Sequence, residues 1–441
     1  MEDRIADNSL AGGEPRATPE GKGRDLARLC HRLEGAGEAF AAWCASGHPP
    51  LERFLAAWTA SRPWMGAQDR RFLRRVLFRA AREAAVLRTG VRPRLPRRAD
   101  DPLVLVAAAL WMEEEQAPSP VPSAVRAALA GILAEPPVRP WGGLPADWAD
   151  ALRRSFGPRE VSDLVRVLNR PAESCDLRVN TARLAREEAR AILAGEGVPV
   201  TPTHHAPDGL RLEAGRDVRR HRLYREGLLE IQDESSQLVA LLALPPQGGT
   251  VLDFCAGAGG KTLALAAALR GHGRIDAYEI DSVRRAELRR RLARAGVRSG
   301  AVCVLASPPA DGELYDVVLV DAPCSGSGTL RRAPHLLWRP LDLAAEAQRQ
   351  RAILARAAGF VRPGGRLVYA TCSVFDEENR AVAASLTVDD GHWRPDDPRE
   401  RLEEAGVKDA ATLVAGGVLR LLPHRHGTDG MEACLWVRTG A

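Results

Sequence analysis

The amino-acid sequence predicts an α/β protein: a doubly wound, Rossmann-like parallel sheet, preceded by a small α+β unit and an N-terminal all-α domain. Three observations predict it. Apolar runs at VLDFC (251–255), RIDAYEI (274–280), AVCVLA (301–306), YDVVLVDAP (315–323) and GRLVYATCS (365–373) are separated by helical patterns. That alternation specifies parallel strands joined by crossover helices. The first run ends in a glycine-rich turn, CAGAGGKT, that enters a helix at 263–270, the strand–turn–helix opening of a nucleotide-binding domain. Far upstream, DRRFLRRVLFRAAREAAVL (69–87) places Phe72, Val76, Arg79 and Glu83 on successive turns beside Leu73 and Leu77, which is helical periodicity.

In chain order, residues 1–24 are polar and Gly-rich and read as a disordered tail. Residues 25–134 keep the helical period and form the all-α domain. Residues 135–146, EPPVRPWGGLPA, read as a proline-rich linker. Between 147 and 235, helices near 147–156 and 159–168 mix with strands at LRVN (177–180), LRLE (210–213) and GLLEIQ (227–232), giving the small α+β unit. The doubly wound domain runs from 236 to 441 and closes on a strand pair near 418–423 and 433–438.

A chain of 441 residues with 45% hydrophobic content holds several real cores. Its longest apolar runs are too short to span a bilayer, and its first residues, MEDRIADNSL, lack the basic-then-apolar signal pattern. A cytosolic protein without a membrane partner is expected, acting as a monomer. The eight cysteines are scattered with no CxxC pair, which argues against a disulfide framework and against a metal site. Of the 62 basic residues all but Lys22, Lys261 and Lys408 are arginine. Lys261, inside the glycine turn, therefore stands out as a position that needs a compact ammonium. The net charge of +5 is uneven: residues 61–100 carry twelve arginines against Asp69, Glu83 and Asp100. A solvated helical face would explain such a run, but its density favours a polyanionic partner.

The turn's Gly-Lys-Thr ending resembles a phosphate-binding loop, but Cys255 stands where that loop needs a glycine, so an ATPase reading fails. In an open α/β sheet ligands gather at the carboxyl ends of the strands. Those ends supply Asp253 with the glycine turn, then Glu279 and Asp281, then Asp321, Pro323 and Cys324, then Thr371, Cys372 and Ser373. An acid ending the second strand suits a ribose diol, so the cofactor contains a nucleoside. Cys30, Cys44, Cys175, Cys303 and Cys434 read as inert small hydrophobes. Cys324 and Cys372 differ, because each sits where its strand leaves the sheet, and a thiol there can be activated as a nucleophile. The residues alone thus describe a cysteine-dependent transferase with a nucleoside cofactor.

The blocks DFCAGAGGKT, DAPCSGSGTLRRAPHLLWR (321–339) and VYATCSVFDEEN (368–379) resemble the signature blocks of the RNA cytosine-C5 methyltransferases, the RsmB/Sun and NOL1/NOP2 family. LRVNT (177–181) and EGLLEIQDESSQLVA (226–240) are similar to that family's segment ahead of the catalytic domain, and the basic N-terminal helices are similar, more weakly, to its NusB-like RNA-binding domain. The resemblance implies S-adenosylmethionine as cofactor and RNA, specifically small-subunit ribosomal RNA, as partner. By the family pattern Cys372 is the nucleophile that adds to C6 of cytosine, Cys324 assists release of the product, and Asp321 hydrogen-bonds the base. The cofactor would lie on Cys255, Ala256, Gly257, Ala258, Gly259, Gly260 and Lys261, with Glu279, Arg284 and Asp321. DNA cytosine methylases use the cysteine of a Pro-Cys pair instead, which would make Cys324 the nucleophile.

The sequence departs from the family pattern in three places. The third strand ends VLASPP, leaving Ala306 and Ser307 where an acidic residue for the adenine amino group is common; Ala258 replaces a frequent proline; and DGME (429–432) stands where DGFF is usual. A noncatalytic RNA-binding assembly factor on a methyltransferase scaffold, or the same chemistry on tRNA, are the alternatives.

Overall fold

The computed structural model describes residues 19–91, 101–102, 104–107, 144–213, 216–298, 300–387 and 392–440. The chain divides into two compact units, residues 1–139 and 140–441. The first contains helices α1 (Pro19–Ala45), α2 (Leu51–Ala60) and α3 (Ala67–Val91). Leu33, Ala36, Phe40 and Trp43 on α1, and Leu73, Val76, Leu77 and Ala80 on α3, recur every three or four residues and are buried, the stripes that pack helix on helix. Arg70, Arg71, Arg74 and Arg75 are exposed, whereas Arg79 is half-buried and Arg82 is buried, so only part of the described arginine cluster lies on the outer face of α3. Helix α1 starts at Pro19, whose fixed φ suits a first helical turn. The end of the expected tail, residues 19–24, is therefore helical. Residues 1–18, the arginines at 92–98 and the linker up to residue 143 lie outside the described residues.

The second unit begins with α4 (Ala146–Ser155) and α5 (Pro158–Leu168). Their apolar faces, through Trp148, Leu152, Val161 and Leu164, pack on Val374 and Phe375, and the Trp148 and Phe375 rings meet edge to face at 5.7 Å between centroids. An apolar brace thus backs the loop that carries Cys372. Strands β1 (Ser174–Val179), β2 (Val200–Pro202), β3 (Gly209–Glu213) and β4 (Leu229–Ile231) form an antiparallel sheet in the order β2-β3-β1-β4. Helix α6 (Arg186–Gly195) covers it through Ala189 and Leu193. Strand β2 has no counterpart in the sequence reading; its three residues are held by pairing with β3.

Helix α7 (Glu234–Leu242) then leads into β5 (Thr250–Asp253), α8 (Gly260–Leu269), β6 (Arg274–Tyr278), α9 (Ser282–Arg294), β7 (Val302–Leu305), β8 (Tyr315–Asp321), α10 (Leu343–Ala358) and β9 (Val361–Thr371). These strands are parallel, in the order β7-β6-β5-β8-β9. After α11 (Arg380–Thr387), the short strands β10 (Trp393–Asp396) and β11 (Val414–Ala415) precede β12 (Val418–Leu421) and β13 (Met431–Arg438). Strand β13 adds antiparallel to β9 with Glu432 opposite Thr371. Val251, Leu252, Val317 to Val320 and Leu367 to Ala370 are buried, because helices cover both faces of a parallel sheet. The winding reverses between β5 and β8, so a crevice opens at their carboxyl ends. No described helix is long and apolar enough to cross a membrane.

Candidate active site

The glycine turn after β5 is shaped by close approach. Gly257 and Gly259 have φ of 57° and 86°, and a Cβ on Gly259 would fall 2.1 Å from Leu288 Cδ1 of α9. Only glycine meets both demands. Ala256 N–H donates to the Tyr278 carbonyl at 2.9 Å, and the Ala258 carbonyl accepts from Arg291 at 2.8 Å. Gly257 N–H donates to Glu279 Oε2 at 2.8 Å and Asp281 N–H to Glu279 Oε1 at 2.8 Å, so the buried Glu279 carboxylate locks the turn to the end of β6. Arg284, largely exposed, stands 4.0 Å from the same carboxylate. Burial, with Asp253 beside it, pushes the Cys255 thiol up and keeps it neutral.

Asp253 is fully buried and accepts from Thr262 Oγ1 at 2.7 Å. Its Oδ1 has no hydrogen-bond partner. Burial pushes its pKa up to about 6 against the Thr262 bond, and the Asp321 and Glu279 carboxylates add to the rise. Helix α8 starts at Gly260 with no side-chain cap, leaving its first N–H groups open to an anion. Lys261 is buried, and its ammonium lies 2.7 Å from Asp321 Oδ2 at the end of β8. The structure thus brings the glycine turn, Lys261, Glu279 and Asp321 together at the carboxyl ends of β5, β6 and β8, with Arg284 exposed beside Glu279 and Cys255 packed against the sheet core.

Both thiols lie beside it. Cys324 Sγ and Cys372 Sγ are 3.4 Å apart, both half-buried. The two loops are knit together: Gly328 N–H donates to the Cys372 carbonyl at 3.0 Å, and the Ser327 and Ser373 hydroxyls meet at 3.0 Å. A hydrogen bond with Cys372, and then burial, raises the Cys324 pKa, so Cys324 is a neutral thiol able to donate to its neighbour's sulfur. Beneath it the buried Glu378 accepts from Ser325 N–H at 2.8 Å and from Gln350 Nε2 at 3.0 Å, while Gln350 also holds the Pro323 carbonyl at 3.0 Å. Glu378 and Gln350 are not among the expected site residues, because nothing in the spacing of the DEEN segment marks a buried acid.

A second unforeseen assembly joins three distant segments. Arg332 donates to both oxygens of Asp429 at 3.0 Å, to Asp233 Oδ2 at 2.8 Å and to the Ser174 carbonyl at 2.9 Å. It fixes the DGME loop against the small sheet. Gly430 packs so tightly on Gly328 that a Cβ on Gly328 would lie 2.2 Å from the Gly430 carbonyl. Glu432, in the place of a usual aromatic, is buried with its Oε2 3.3 Å from Arg420 and its Oε1 without a partner. Burial, opposed by Arg420, pushes its pKa up to about 7.

Of the cysteines expected to be inert, Cys434 is buried, Cys44 and Cys175 are half-buried, and Cys303 is exposed. Cys303 alone departs from the expectation, because β7 is the edge strand of the sheet. The Cys30 side chain lies outside the described residues. The third-strand end, Ala306 and Ser307, is also exposed. Among the described residues no group of three or more His, Cys, Asp or Glu side chains could hold a metal ion.

Comparison with known proteins gives the same outline. The family described as 16S rRNA methyltransferase RsmB/F matches residues 240–435, and an RsmF/B-like ferredoxin-like domain matches residues 144–219. The probable ribosomal RNA small subunit methyltransferase B of Bacillus subtilis is 32% identical over 67% of this chain and 65% of its own length. The ribosomal RNA small subunit methyltransferase B of Sodalis glossinidius is 38% identical over 48% of this chain and 50% of its own. The chain thus spans half to two thirds of the length of these curated relatives. The crystal structure of PH0851 shares the fold, with a TM-score of 0.75 and 24% identity over 92% of this chain and 98% of that one. Through the two matched segments, the chain belongs to the RsmB/F (RsmB/Sun) methyltransferase family.

Proposed function

We propose that the protein transfers a methyl group from S-adenosylmethionine to C5 of a cytosine in RNA, with small-subunit ribosomal RNA as the substrate. The observation that carries this reading is the Cys324–Cys372 pair, 3.4 Å apart at the ends of adjacent parallel strands, beside an Asp321 that is itself tied to the glycine turn.

The turn fits the cofactor. Asp253 keeps an unpartnered buried oxygen, Glu279 is buried at the end of β6, where an acid suits a ribose diol, and the uncapped start of α8 with Lys261 suits the methionine carboxylate. When bound, S-adenosylmethionine supplies an electrophilic methyl group on a sulfonium centre.

The chain's own residues prepare the acceptor. Cytosine C5 is a weak nucleophile, so the Cys372 thiolate first adds to C6 and the displaced electron pair enriches C5. Asp321, with one oxygen on Lys261, offers the other to the base and favours a proton at N3, which balances that charge. After methylation the C5 proton passes to solvent water, its electron pair restores the C5–C6 double bond, N3 gives up its proton, and the Cys372 sulfur departs as thiolate. The neutral Cys324 thiol stands where it can assist that departure. A cytosine within a helix cannot reach this crevice, so the target is unpaired or flipped out.

Bisulfite mapping of RNA from a strain lacking the gene tests the reading. Loss of a single 5-methylcytosine in small-subunit ribosomal RNA, restored by the wild-type gene, is the expected result. An unchanged map in every RNA species would overturn it.

A further inference from the structure

A second cavity, of about 320 Å³, opens between the small sheet and the methyltransferase sheet. It is bounded by the flank of α8 from Leu263 to Arg270, by the segment from Ala295 to Arg298 that leads into β7, and by the end of β1. None of the cysteine, aspartate or glutamate residues of the candidate active site lines it. Topology separates the two as well: the segment entering β7 lies at the amino ends of the parallel strands, whereas the thiols lie at the carboxyl ends.

The lining divides by chemistry. Leu263, Ala266, Ala267 and Val297 supply apolar lining, and Arg178, Arg183, Arg270 and Arg298 supply cations, of which Arg183 also donates to the Glu226 and Ala295 carbonyls at 2.7 and 3.3 Å. Arg178 is the decisive residue. It is buried, its Nε donates to Gln232 Oε1 at 2.7 Å, and its Nη1 has no hydrogen-bond partner. Burial lowers its pKa only to about 10, so it remains a cation at neutral pH. An orphaned donor on a buried guanidinium is costly unless an acceptor reaches it. The acid that lines the cavity, Glu230, is taken by Arg291 at 2.9 Å and by Arg294. A further carboxyl close to Arg178 and Arg270, Asp208, accepts from Thr181 at 3.1 Å. Arg270 and Arg298 are exposed at the mouth.

We infer that this cavity binds a phosphorylated nucleotide, with its phosphate on the arginines and its ribose or base against Leu263, Ala266, Ala267 and Val297. The volume lies at the lower end of ligand pockets, about 300–1,000 Å³, which suits one nucleotide. The unit comes either from an RNA strand, gripped at a point remote from the reacting base, or from a free nucleotide. The inference stands on the lining alone and does not depend on the thiol chemistry.

The test uses the full chain, with adenosine 5′-monophosphate and a single-stranded RNA as probes. The surface pair Arg270→Gln with Arg298→Gln is compared with wild type and with Arg399→Gln, an exposed arginine outside the cavity. Arg178→Gln is added with its melting temperature as a check on folding. For a free nucleotide, calorimetry shows adenosine monophosphate binding that weakens at least fivefold in the surface pair. For an RNA phosphate, the slope of log affinity against log salt flattens by about 0.7, one single-strand contact, in the surface pair and in a folded Arg178→Gln but not in Arg399→Gln. The inference is overturned if neither probe distinguishes the surface pair from wild type, or if Arg399→Gln produces the same change. Loss of all RNA binding would count against the proposed substrate and leave the nucleotide arm decisive.

Discussion

The Lys261 ammonium lies 2.7 Å from Asp321 Oδ2 and joins the first turn of α8 to the end of β8 across the point where the sheet reverses. One ion pair therefore couples the glycine turn proposed to hold the cofactor to the carboxylate proposed to hold the base. Lys261→Met removes the charge that positions Asp321 and the charge that meets an anionic cofactor end. Calorimetry should show S-adenosylmethionine binding at least about tenfold weaker, some 1.4 kcal/mol. Unchanged affinity would assign Lys261 to Asp321 alone.

Glu279 combines two tasks, since both of its oxygens accept backbone N–H groups, from Gly257 and Asp281. Glu279→Ala should weaken cofactor binding by about 1–3 kcal/mol, the worth of a charge-assisted hydrogen bond. Equal affinity in the variant would remove Glu279 from the site.

Gly259→Ala tests the shape of the turn. The new methyl would fall 2.1 Å from Leu288 Cδ1, and φ of 86° disfavours any side chain. The backbone term alone is about 1–2 kcal/mol, so the urea midpoint should drop and cofactor binding should fall with it. A variant as stable as wild type would show that α9 can shift to make room.

The five parallel strands are legible in the sequence because each carries a short, mostly apolar run between helical patterns; in β5, β8 and β9 that run is buried on both faces, whereas β7 lies at the sheet edge. Each observed strand starts or ends within a few residues of its run. Strand β10 is not legible: Trp393–Asp396 reads WRPD, and its strand character comes from pairing with β13. The same holds for the site. Cys324, Cys372, Asp321 and Glu279 sit at strand ends, where topology alone directs them to the crevice. Arg332, Asp233 and Asp429 come together from three separated segments, and one arginine among 59 carries no local mark of that role.

Glu432 gives a pH signature. Its pKa is raised by burial to about 7 in the folded chain from 4.5, so its burial is least costly below the unfolded value and stability is lost as pH rises through the folded one. Between pH 5 and pH 8 the wild type should lose about 2 kcal/mol relative to Glu432→Gln, read by urea unfolding at both pH values. A difference independent of pH would mean that Arg420 keeps Glu432 ionised throughout.

In the proposed mechanism the two thiols act at different steps, and removing each should leave a different trace. Denaturing gel electrophoresis of the protein incubated with S-adenosylmethionine and substrate RNA tests this most directly. Cys372→Ala should be inactive and show no slow band, because no C6 adduct can form. Cys324→Ala should accumulate a denaturant-resistant protein–RNA species, because the adduct forms and is methylated but is not released. A band with Cys372→Ala and none with Cys324→Ala would contradict the assignment and make Cys324 the nucleophile.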